Sequence, residues 1–200
     1  MTGTKDRILA AGSELFRHGG YSGTGVKQIV EKAGAPFGSL YHFFPGGKEQ
    51  LGEQVLRTSG MEYLQLVDLF LTPAPDLISG IEAYFAAGVN VLLETDYVEG
   101  CPIATVALEV ATTNEVLRKA TADVFTAWID AGTEKLAIFG LPPEAARTLT
   151  ISLINSLEGA FVLSRSMRST EPMAVAGASV VDVARRLLAE LGQDGKKQAA

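Results

Sequence analysis

Within the stretch Pro36-Phe-Gly-Ser-Leu-Tyr-His-Phe-Phe44 stand a hydroxyl (Ser39), a phenol (Tyr41) and an imidazole (His42), crowded among further rings although aromatics make up 8% of the chain. Ser39 can bond a base edge or a phosphate, and Tyr41 and His42 can donate to phosphate oxygens. Gly38 lets a backbone approach closely, and Lys48 follows just after Pro45-Gly-Gly47. Chemistry-bearing groups are sparse elsewhere. Both histidines lie in the first fifty residues, and no glycine-rich phosphate loop or metal-spaced His/Cys/carboxylate set follows them. Glu109 and Glu158 are a carboxylate pair that would do acid–base work in a rival reading, that of an all-helical enzyme acting on a small hydrophobic molecule. Cys101, the single cysteine, excludes an intrachain disulfide and a thiolate cluster. Beside Pro102 it reads as a small apolar residue at a helix junction. The expectation is a protein that is not an enzyme and holds no cofactor and no metal.

Almost every segment that positions these groups reads as helix. Apolar residues recur at three- and four-residue spacing at Ile8, Leu9, Leu15 and Phe16, and again at Val26, Ile29, Val30 and Ala33. Gly19-Gly20 ends the first helix, and Thr24 is the expected N-cap of the second. Gly34 ends the second helix, and Pro36 suits the first turn of a third that runs to about Phe44. On that third helix Leu40 and Phe44 are four apart and face inward toward Phe16, Ile29 and Val30. Phe37, Gly38, Ser39, Tyr41 and His42 stand nearer the other side. A fourth helix is expected from about Lys48 to Phe70, and further helices at about 76–94, 103–112, 114–139, 143–168 and 172–191. The fold class is therefore all-α. The expected domains are a helix-turn-helix DNA-binding domain over 1–50, a helical effector-binding and dimerisation domain over 51–192, and a flexible tail over 193–200.

Charge divides the same way. The net charge is −6, yet residues 1–50 carry six Lys/Arg against four Asp/Glu, while the remainder carries eleven against nineteen. This describes a small head able to meet phosphates on an acidic body that repels them. No uncharged run of about 18 apolar residues indicates a membrane partner, and the N-terminal segment lacks the features of a signal peptide, so a cytoplasmic location is expected.

The head resembles a known family. Gly20-Tyr21 with Thr24, then Val26, Ile29, Ala33-Gly34, Gly38, Leu40-Tyr41, Phe44 and Lys48-Glu-Gln-Leu51 look like the signature of TetR-family transcriptional regulators. HFFPGGKEQL and Glu99-Gly-Cys-Pro-Ile-Ala-Thr-Val-Ala-Leu-Glu-Val110 resemble its LmrA/QdoR-like (YxaF-like) branch. The resemblance implies base or phosphate contact by Lys27, a phosphate-reaching hydroxyl at Thr24, recognition-helix roles for Ser39, Tyr41 and His42, and a phosphate contact by Lys48. Phe37 departs from the branch, which commonly has lysine or another polar residue there. A phenylalanine cannot clasp phosphate, but it can touch a thymine methyl.

A head this small makes few phosphate contacts, so two heads on a symmetric homodimer would read a pseudo-palindromic double-stranded operator. Ser152, Ser156, Gly159, Ala160 and Leu163 form a stripe of mostly small residues suited to close helix approach, and Gly177 lies in a second small-residue run. The resemblance places the dimer interface on these last two helices. It also implies a small-molecule effector pocket in the body. The candidate lining is apolar and aromatic with a few polar groups: Phe85, Val89, Leu92, Val106, Phe125, Trp128, Asn155 and Glu158. The expected function is a ligand-responsive repressor, with the all-helical enzyme or an effector-free DNA-binding dimer as the alternatives.

Overall fold

The computed structural model describes the backbone of residues 3–198 and, of their side chains, all but those of 67, 68 and 193–198. The described residues form nine helices and no strand, as the all-α reading requires. In chain order these are α1 (Thr4–Gly19), α2 (Val26–Lys32), α3 (Phe37–Phe43), α4 (Gly47–Leu71), α5 (Leu77–Glu94), α6 (Pro102–Val110), α7 (Glu115–Ala137), α8 (Pro143–Met167) and α9 (Glu171–Gln198). They group into two compact units: Met1–Tyr63 with Gly100–Thr126, and Leu64–Glu99 with Ala127–Ala200. These units are cut differently from the domains expected over 1–50 and 51–192. The backbone of α9 runs to Gln198, into the segment 193–200 expected as a tail, whose last two residues lie outside the described ones.

In the first unit, α1 buries Ile8, Ala11, Gly12 and Phe16, a three- and four-residue spacing that forms one apolar stripe. The helix stops at Gly20, whose N–H returns to the Phe16 carbonyl at φ +69°, a left-handed conformation that suits glycine. The seven-residue α2 is fixed at both ends. Gln28 accepts the Gly25 N–H at 2.7 Å, and the Ala35 N–H returns to the Val30 carbonyl at 2.9 Å past a left-handed Gly34. Pro36 then sets the start of α3, and Leu40 and Phe44 are fully buried, as their four-residue spacing predicts. A Cβ at Gly12 would meet Val55 at 3.0 Å, so α1 packs directly on α4. Later chain completes this unit. α7 approaches α4 so closely at Gly60 that Val124 leaves no room for a side chain, and Arg57 pairs with Asp123 at 3.1 Å.

The second unit has its core between α5, α8 and α9, with Leu77, Ile81, Phe85, Leu92, Leu149, Met173, Val180 and Val181 all buried. Asp76 caps α5 by accepting the Ser79 N–H at 2.8 Å. By length and composition α5 is apolar enough to cross a membrane, but it spends Ile81, Phe85 and Leu92 on this core. Beyond α5 the chain turns through Asp96 and Tyr97, both at positive φ. Arg168 holds that turn, donating to the Asp96 carbonyl at 2.6 Å and pairing with its carboxylate at 3.0 Å.

Candidate nucleic-acid interface

α3 carries its buried residue, Leu40, on one side and leaves an aromatic face on the other. Phe37 is 54% and Tyr41 48% exposed, although both are large and partly or wholly apolar. They stand one helical turn apart, ring centroids 5.9 Å from one another and planes tilted by 52°. Gly38 is exposed between them in sequence, with no atom within 4 Å of where a Cβ would stand. His42 is exposed and Ser39 is half-buried. The structure thus brings Phe37, Gly38, Ser39, Tyr41 and His42 onto one short helix.

The two lysines differ in their surroundings. The Lys27 side chain is 80% exposed and reaches Glu31 only at 3.8 Å, so it is a solvated cation on α2. Lys48 is half-buried, its Nζ 4.1 Å above the ring of Tyr21. Burial pushes its ammonium below the usual lysine range, and the charge of Glu109 opposes that shift. Tyr21 is in turn pushed up by burial and by the charge of Glu49.

Thr24 requires a correction. It is buried, and its hydroxyl donates to the Gly20 carbonyl at 2.7 Å, with the Leu15 carbonyl at 3.3 Å. The N-cap of α2 is Gly25. The hydroxyl is therefore spent on backbone carbonyls at the end of α1 and not on capping α2.

Glu109, an acid–base candidate in the rival enzyme reading, has a structural part here. Its carboxylate accepts the Ser22 N–H at 2.7 Å and lies directly against Gly20, where any Cβ would overlap it. It belongs to the first unit and Glu158 to the second. Sequence spacing gave no signal of this bond, which spans 87 residues.

The body residues divide in the same manner. Val106 and Phe125 belong to the first unit, and the other six pocket candidates to the second. Phe85, Leu92, Val106 and Trp128 are buried, and Val89 packs against the core of the second unit. Asn155 is exposed on an open groove of about 510 Å³ between α8 and α9, floored by Ser156, Gly159 and Ala160 and edged by Leu163, Met167 and Val175. Glu158 and Ser152 are half-buried on α8. The groove gathers Ser156, Gly159, Ala160 and Leu163 of the expected interface stripe. Gly177 is the exception. It faces inward, where a Cβ would stand 2.9 Å from Phe85, because α9 needs a glycine to close on α5.

Comparison with known proteins decides the family. Residues 8–55 match the profile of bacterial regulatory proteins of the tetR family, and residues 78–179 that of the C-terminal domain of LmrA/YxaF-like transcriptional regulators. The chain belongs to the TetR family. Within it the C-terminal match supports the LmrA/YxaF-like branch. The Bacillus subtilis HTH-type transcriptional regulator YxaF is 32% identical, the match covering 85% of this chain and 89% of that protein. B. subtilis LmrA, also an HTH-type transcriptional regulator, is 30% identical over 92% of this chain and 97% of its own. The reduced form of the Escherichia coli repressor NemR superposes with a TM-score of 0.76 at 26% identity, covering 88% of this chain and 94% of that one. TetR-family membership makes this chain a DNA-binding transcriptional regulator.

Proposed function

We propose that this TetR-family regulator is a repressor that binds a pseudo-palindromic operator as a homodimer in the cytoplasm and is released by a small hydrophobic or aromatic effector. The observation that carries the DNA part is the face of α3: two half-exposed rings, a bare Gly38, Ser39 and His42, on a helix whose other side is core. Lys27 supplies a solvated cation for the phosphate backbone, and Lys48 a second that exchanges the Tyr21 ring for a phosphate oxygen. The dimer part rests on the uncovered groove of α8 and α9, where Leu163 is 54% and Met167 and Val175 each 58% exposed around Gly159. A second copy covers such a face symmetrically. Repression follows the naming of relatives such as NemR.

Selection from a randomised double-stranded DNA pool at two salt concentrations tests this reading. Enrichment of a palindrome whose affinity falls steeply with salt supports it, and no enrichment at either salt sinks it. The effector-free dimer is favoured by one observation: Phe85, Leu92, Val106 and Trp128, assigned to a pocket, are packed as core. Unchanged operator affinity across a panel of hydrophobic and aromatic compounds would decide for it.

A further inference from the structure

Resting on the operator-reading role of α3, we propose that Phe37 reads a thymine through its C5-methyl group in the major groove, with Tyr41 supporting its ring. From Ala33 to Phe44 the chain has no Arg, Lys, Asn, Gln, Asp or Glu. Those are the side chains that recognise base edges by bidentate or acceptor hydrogen bonds, so α3 has no means of naming a guanine or an adenine in that way. Its exposed face offers Phe37, Gly38, Tyr41 and His42 instead. In the major groove the apolar feature that separates one base pair from another is the thymine methyl.

The geometry suits that contact. Phe37 is the more exposed of the two rings, and Tyr41 lies against it one turn on, at 5.9 Å. This neighbour flanks one side of the Phe37 ring, which lowers the rotamer freedom the ring loses on binding. Gly38 has no Cβ and open space beside it, which lets the backbone next to Phe37 approach the groove. Charge favours DNA over a protein as the occupant of this apolar face. Residues 1–50 carry a surplus of two basic residues on a chain of net charge −6, and the exposed Lys27 lies on the adjoining helix.

The test uses the full-length protein and the operator obtained by selection. Each thymine of the half-site is replaced in turn by deoxyuridine, which removes only the methyl. Losing one buried methyl is expected to weaken binding about 4-fold in one half-site and about 15-fold when both are substituted. One position should show this effect in the wild type and lose it in Phe37→Ala, while Phe37→Leu keeps part of it, a coupling read as a double-mutant cycle. Unchanged circular dichroism and unchanged binding to unrelated DNA establish that the variants are folded. A wild type indifferent to uracil at every position overturns the inference, as does a Phe37→Ala variant that keeps the full sensitivity. Loss of binding to a protein partner with operator reading intact would likewise overturn it. Failure to select any operator removes the DNA reading itself, and this inference with it; an operator insensitive to uracil removes the methyl contact alone.

Discussion

Gly159→Leu separates the fold of one chain from the assembly of two. Gly159 lies in the middle of α8 on the open groove, and nothing stands within 4 Å of where its Cβ would be. In a single chain the leucine meets no neighbour there and raises helix propensity, a gain of roughly 0.5–1 kcal/mol. Across a symmetric interface the same side chain enters twice. Overpacking at roughly 1–3 kcal/mol per copy removes about 2–6 kcal/mol of association, or roughly a 30-fold to 25,000-fold rise in the dimer Kd. Sedimentation velocity over a dilution series, with thermal unfolding at two protein concentrations, reads both effects. The expected result is a monomer at concentrations where the wild type is dimeric. An unchanged sedimentation profile with a higher unfolding midpoint would refute the placement of the interface at this groove.

The contrasting change, Gly177→Ala, should destabilise the fold by about 1 kcal/mol net, overpacking against Phe85 exceeding the helix-propensity gain; a urea midpoint equal to wild type would show that α9 can shift at no cost. Tyr41→Ala should leave stability within about 1 kcal/mol of wild type, the ring being half exposed, yet weaken operator binding; equal operator affinity would remove Tyr41 from the contact surface. Lys27→Ala should weaken binding to all sequences alike and reduce the salt slope by about one; an unchanged slope counts against the phosphate contact. Asp76 is held below the usual carboxylate range by the Ser79 N–H and hydroxyl, so its charge-dependent stabilisation is present above its ordinary pKa of 3.8 and lost as pH falls through the lowered value. The stability gap between wild type and Asp76→Asn should therefore shrink on acidification, and a gap independent of pH from 7 to 2 would show that the cap does not rely on the charge.

What was legible in the sequence was local. The four-residue spacing of Leu40 and Phe44, the stops at Gly20 and Gly34 and the proline at 36 act within one or two turns of helix, and the structure places all of them as expected. The helices from α4 to α9 follow from their Pro/Gly breaks to within a few residues, except at the end of α9. The misreadings turn on which partner a residue of the right type finds in the fold. A small-residue run shows that something approaches α9, but Gly177 meets Phe85 of its own chain, whereas Gly159 meets open space. Thr24 has the right type for a cap, yet its hydroxyl donates to the Gly20 and Leu15 carbonyls and Gly25 takes the cap position. For Phe85, Leu92 and Val106 an apolar pattern in the sequence gives burial alone, a property that core and pocket wall share.

The first unit is assembled from two stretches of chain, and this has a consequence for the order in which the protein is made. Leu117 and Ala120 are fully buried in that unit, and the Glu109 carboxylate is bonded to the backbone of Ser22. A nascent chain that has emerged only to Tyr63 already holds every residue of α3, but the partners of Gly52, Gly60 and Ser22 are still unsynthesised. Some sixty further residues must leave the ribosome before the unit that holds α3 is complete, a delay of seconds at ordinary elongation rates of about 5–20 residues per second. α3 is thus among the first parts translated, in a unit that is among the later ones to be finished.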